Sequence, residues 1–194
     1  MRRLFSNDTP EPEKQIKELT GKSEQLTEKF WAMHVERIES LKKLIKLPEE
    51  NECTFIWTEN SFNAFTFIPF CLSHYGFITE LYLSTYTISK RIADALIKQI
   101  DSGNILQVHI MVSESLKFRM PAVIDHLNAL LPSRPQLQIH YGWNHSKITC
   151  VRCGENYLVF EGSGNWGENA QFEQYILTNS KQIYEFRKEN ICMV

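Results

Sequence analysis

Apolar residues Ile16, Leu19, Leu26, Phe30, Met33, Ile38, Leu41 and Ile45 recur mostly three or four positions apart, with charged residues between them. That period is the stripe of an amphipathic helix, so it predicts a helical arm over residues 10–47, broken near Gly21 and bounded by Pro10, Pro12 and Pro48. From Cys53 onward the pattern changes to short β-rich runs, which predict strands at Cys53–Thr58, Ile78–Tyr86, Leu106–Val112, Leu137–Tyr141, Ser146–Cys153, Tyr157–Glu161 and Tyr175–Thr178. Between and after them, Asn63–Tyr75, Ser89–Ser102, Met120–Leu131 and Lys181–Glu189 read as helices, with Pro69 interrupting the first. Cys153-Gly154-Glu155-Asn156 between two apolar runs is a hairpin turn. The alternation predicts an α/β class with a layered domain over residues 51–194, preceded by an N-terminal helical arm over residues 1–50.

Composition narrows the function classes. With 194 residues, 43% of them hydrophobic, the chain can bury a core of ordinary size. Twenty-one Lys and Arg against 23 Asp and Glu give a formal charge of −2, so any anion site must be local. No apolar run reaches the roughly 18 residues of a membrane span, and the first residues lack the apolar segment of a secretory signal. The expectation is a cytoplasmic protein with no membrane partner. Five scattered cysteines do not form a disulfide framework, so reduced thiols are expected. Cys150 and Cys153 flank a tight turn as zinc thiolates do, but no second pair follows and a regular strand sends them to opposite faces. Two packed thiols and no metal are expected. His34, His74, His109, His126 and His140 have no chelating spacing, and Phe62, Phe65, Phe67, Phe70 and Phe77 read as core.

The candidate chemistry sits in His145-Ser146-Lys147, followed after one hairpin by Gly162-Ser163-Gly164-Asn165 and then by Glu173. On a strand, His145 and Lys147 leave the same face. Converging with Ser163 and Asn165, they make a pocket rich in donors, suited to a phosphoryl group whose charged oxygens the cation and amide would stabilise while the imidazole attacks phosphorus. Gly162 and Gly164 allow close approach of backbone and ligand. Trp143 and Trp166 flank the site, where each indole either stacks on a nucleobase or packs.

These residues resemble the signature of the phospholipase D superfamily, which pairs His-x-Lys with a downstream Gly-Ser-x-Asn and a later Glu. The run Ile78–Ser89, the helix after it and the strand Gln107–Val112 look like the opening of that fold, so the resemblance covers about residues 54–190. It implies a layered α/β/α domain with a mixed sheet. It implies His145 as nucleophile or general acid, Lys147 as phosphate ligand, Ser163 and Asn165 as pocket lining, and Glu173 as the carboxylate that orients a histidine. Gly162, Gly164 and Trp166 join the substrate-binding set. Because only one motif is present, it also implies a homodimer that builds one site from two chains, as in single-motif nucleases of the superfamily. The expected activity is a metal-independent phosphodiesterase, a nuclease acting on nucleic acid through a phosphohistidine, with no cofactor. Arg152 stands where the superfamily usually has Asp, which motivates the alternative of a non-catalytic nucleic-acid or phosphate-binding module. A phospholipase is the third option.

Overall fold

The computed structural model describes residues 21–27, 30–35, 46–58, 63–167 and 172–192. Its strands are β1 (Gly21–Thr27), β2 (Phe30–Val35), β3 (Cys53–Thr58), β4 (Glu80–Thr85), β5 (Val108–Ser113), β6 (Leu137–Gly142), β7 (Ile148–Cys153), β8 (Asn156–Gly162) and β9 (Glu173–Asn179). The helices are α1 (Phe67–Tyr75), α2 (Lys90–Asp101), the single turn α3 (Leu116–Arg119), α4 (Pro121–Leu130) and α5 (Lys181–Cys192). One mixed sheet runs in the order β1-β2-β3-β9-β8-β7-β4-β5-β6. Strands β4, β5 and β6 are mutually parallel, whereas β7, β8 and β9 alternate antiparallel beside them.

Side-chain alternation along the central strands creates the layers. Leu81, Leu83, Val151, Cys153, Leu158 and Phe160 point to one face, into the larger core that α1, α2 and α4 cover. Tyr82, Cys150, Tyr157 and Val159 point to the other, where Tyr184 and Ile191 of α5 close a smaller core. The layered α/β/α arrangement expected from the sequence is therefore present. Helix α2 buries Ile92, Ala93, Leu96, Ile97 and Ile100 along one stripe, and Ser89 caps it by accepting a hydrogen bond from the Ile92 amide at 3.3 Å. The segment predicted as one helix from Asn63 divides into a 3-10 turn, Ala64–Thr66, and α1. Pro69 falls in the first turn of α1, where a missing N–H breaks no intrahelical bond. In the hairpin between β7 and β8, Cys153 faces Asn156, and Gly154 alone of the two loop residues has positive φ, at 60°. That is the pattern of a type II′ turn.

The predicted N-terminal helical arm is corrected where the structure describes it. Residues 21–27 and 30–35 form a hairpin, and β2 pairs in parallel with β3 from Phe30↔Cys53 to Val35↔Thr58. The pairing satisfies backbone groups on the outer edge of β3, and Phe30, Trp31 and Val35 are strand-favouring types that outweigh the helical period. The rest of the predicted arm, residues 1–20, 28–29 and 36–45, lies outside the described residues. Among the described residues no helix is long and apolar enough to cross a membrane.

Candidate active site

The C-terminal ends of β4, β5 and β6 and the N-terminal end of β7 share one edge of the sheet, the position where open α/β sheets place their ligand crevice. His145, Ser146 and Lys147 occupy that edge as an extended run just before β7, two residues short of the strand predicted to contain Ser146 and Lys147. The ladder nonetheless continues, because the Lys147 carbonyl accepts from the Gly162 amide at 3.2 Å. Asn144 pins the run. Its Nδ2 donates to the Thr85 carbonyl at 3.3 Å, and its Oδ1 accepts from the Ser146 amide at 2.8 Å. The Ser146 and Ser84 hydroxyls lie 2.6 Å apart.

His145 and Lys147 meet as the sequence predicted. The Lys147 ammonium lies 2.9 Å from the His145 carbonyl and 3.4 Å from its Nδ1. Tyr86 stands against the exposed imidazole, with ring centroids 4.6 Å apart at an interplanar angle of 49°. Burial pushes the Lys147 ammonium below its ordinary pKa, against the opposing pull of Glu173 and Tyr86.

The Gly162–Asn165 run forms the facing wall. A Cβ at Gly162 would lie 2.0 Å from the Gln174 carbonyl oxygen, and one at Gly164 would lie 1.8 Å from the Tyr175 hydroxyl, so both glycines are required by close approach. The Ser163 hydroxyl donates to the Glu173 carboxylate and accepts from the Gln174 amide at 3.0 Å. Glu173 is thus held by Ser163 rather than by the imidazole of its own chain, among the described residues. The Asn165 carboxamide oxygen lies 3.5 Å from the Thr85 hydroxyl.

Trp166 corrects the expectation that it binds substrate. Its ring is 1% exposed, its indole N–H donates to the Thr149 hydroxyl at 3.1 Å, and Phe65 packs edge-on against it. A buried indole with a satisfied N–H is a core residue. Trp143, 85% exposed beside His145, is the indole with room to stack. Sequence reasoning missed Tyr86, Asn144 and Thr85. Thr85 and Tyr86 lie at and just past the end of β4, and only the pairing of Ser84 with Ile148 reveals that they adjoin His145. Asn144, next to His145 in sequence, owes its role to the Thr85 carbonyl it reaches.

Arg152 lies on β7 facing Glu80 of β4, at the end away from His145. Its guanidinium pairs with Glu80 at 2.9 Å, while Lys188 of α5 reaches the same carboxylate at 2.8 Å and Tyr184 donates to it at 3.3 Å. Five residues of strand place it roughly 17 Å from Lys147. In this chain that position is a structural cross-strand pair. Burial pushes the Glu80 pKa up, but the hydrogen bonds from Lys188 and Arg152 outweigh it and hold the pKa below its ordinary 4.5. A depressed folded pKa gives stability that is present above 4.5 and lost as pH falls through the folded value. Urea denaturation across acidic pH should therefore show a loss in the native protein that is weakened in Glu80→Gln; parallel curves would refute it.

Cys150 lies in the smaller core and Cys153 in the larger, so the two thiols leave opposite faces of the sheet. Burial pushes the Cys153 thiol up to about 12, far from a metal-binding thiolate.

No family model matches the chain, and no curated protein does. Solved structures do. NucT from Helicobacter pylori aligns over 72% of this chain and 94% of its own at 18% identity and a TM-score of 0.49. A polyphosphate kinase from Porphyromonas gingivalis aligns over 72% of this chain at 17% identity and a TM-score of 0.53. A phosphatidylserine synthase from Haemophilus influenzae Rd KW20 aligns over 78% at 13% identity and a TM-score of 0.47. The chain spans 26% of the kinase and 40% of the synthase. The kinase match carries the fold: this chain has a phospholipase D-like fold.

Proposed function

We propose that the chain is a metal-independent phosphodiesterase, a nuclease acting through a phosphohistidine at a site shared by two copies. The observation that carries this reading is the Lys147 ammonium within 3.4 Å of the His145 imidazole, on the edge that also holds Ser163, Asn165 and Glu173. Neutral His145 attacks phosphorus, forming a P–N bond as the P–O bond to the leaving group breaks. The imidazolium of His145 of the partner subunit gives its proton to the departing oxygen. Water then attacks the phosphohistidine, that same partner imidazole takes the water's proton, and the P–N bond breaks. Lys147 and Asn165 stabilise charge on the non-bridging oxygens. Arg152, tied to Glu80, takes no part, so the missing aspartate leaves the reacting group intact. Exposed Trp143 favours nucleic acid, because it offers a stacking surface beside the nucleophile.

Cleavage of a labelled oligonucleotide in excess EDTA, followed against pH with light scattering on the same sample, tests the reading. Cleavage should persist in chelator, follow a bell-shaped pH profile because the histidine pair must hold one proton, and accompany a dimer. Activity that vanishes with EDTA and returns with a divalent ion, or an active monomer, would overturn it. Binding without turnover would instead establish the non-catalytic module.

A further inference from the structure

We infer that Arg119 binds a second phosphate of the substrate, next to the one His145 attacks, and that Tyr86 is the positioning residue that holds both side chains in place. The inference rests on the phosphodiesterase reading and names the substrate feature it selects: successive phosphates, as in a polynucleotide. Tyr86 carries His145 at 4.6 Å and the Arg119 guanidinium carbon at 4.2 Å from its ring centroid, with the Lys147 ammonium at 5.7 Å. A guanidinium laid on a ring uses only its flat face and keeps the fork of N–H donors free for an anion. Among the described residues that fork has no hydrogen-bond or carboxylate partner. Its neighbour differs: Lys117 is paired with Glu114 at 3.1 Å and lies over Tyr141.

The arginine's placement is anchored. Leu116, in the same turn, is fully buried, and the Glu114 amide donates to the Gly142 carbonyl at 2.7 Å, fixing α3 against the ends of β5 and β6. The Thr87 hydroxyl contacts the Met120 sulfur at 3.9 Å, tying the end of α3 to the loop that carries Tyr86. An exposed arginine, unpaired among the described residues and braced on the ring that also packs against His145, extends the positive edge beyond the phosphate that Lys147 would hold. A substrate with one isolated phosphodiester cannot use it.

Two measurements test this. In kinetics with an oligothymidylate and with bis(p-nitrophenyl) phosphate, Arg119→Met should lower the ratio of their kcat/KM values roughly tenfold, mainly through the KM of the oligonucleotide. Arg119→Lys should recover part of that ratio, since it restores charge without the planar fork. Tyr86→Leu should lower kcat on both substrates, and Tyr86→Phe should keep both, because the ring and not the hydroxyl makes the stack. In binding, anisotropy of the labelled oligothymidylate on a His145→Ala background should show the salt slope reduced by about one when Arg119→Met is added. An unchanged ratio and slope would overturn the inference, as would an Arg119→Met loss confined to phosphatidylglycerol vesicles. If the wild type hydrolyses neither diester while the slope still falls, the phosphate contact stands and the phosphodiesterase reading fails.

Discussion

His145→Ala should lose at least roughly a thousandfold in phosphodiester cleavage and unfold at the same temperature as the wild type. The two halves of that expectation have separate grounds. The imidazole is exposed and, among the described residues, its side-chain contacts are the Tyr86 ring and the Lys147 ammonium, so truncating it removes little packing. Yet in the proposed mechanism it is the group that bonds to phosphorus. Quenching the wild type and labelled substrate in alkaline detergent should trap a phosphoprotein that acid then destroys and that the variant does not form. Mixing the two proteins gives a sharper reading. If each site needs one imidazole from each chain, activity falls as the square of the wild-type fraction; a strictly proportional fall would mean that each chain works alone.

Gly162→Ala should destabilise the protein by about 3 kcal/mol or more, beyond the usual cost of an extra methyl in a core. The added carbon would lie 2.0 Å from the Gln174 carbonyl oxygen and 2.8 Å from the Tyr175 ring. The first of these is backbone, which cannot swing aside without breaking the β8–β9 ladder where Gly162 pairs with Tyr175. Gly154→Ala is the control. Its Cβ meets nothing within 4 Å, and only the φ of 60° is unfavourable, a cost of about 1 kcal/mol. Urea midpoints for the two variants decide the matter: equal shifts would mean that strand β9 gives way at no great expense.

The strands and helices after Cys53 were legible because their burial is periodic: Leu81, Leu83 and Tyr82 divide between faces as a two-residue repeat requires. The hairpin at Gly154 was legible because a tight turn there needs positive φ. The N-terminal segment misled, since residues three and four apart from Leu26 to Met33 imitate a helical stripe while β2 is drawn into the sheet by the open edge of β3. That His145 meets Lys147 and that Ser163 and Glu173 lie at the same edge was legible from their types and order, and Ser163 and Glu173 bond to each other. The inward turn of Trp166 was not, because its partner Thr149 belongs to another strand. Tyr86 and the Glu80–Arg152 pair were equally hidden. Each depends on the register of β4 against β7, which no local pattern encodes.

The Gly162 amide donates to the Lys147 carbonyl one step beyond the last paired residues of β7 and β8. That bond makes the segments around Lys147 and Gly162 the open ends of a single ribbon whose closed end is the Gly154-Glu155 bend. Sliding that ribbon by one residue would send every side chain to the wrong side. The alignment of the candidate site's two segments is therefore set by a count of residues between two tips.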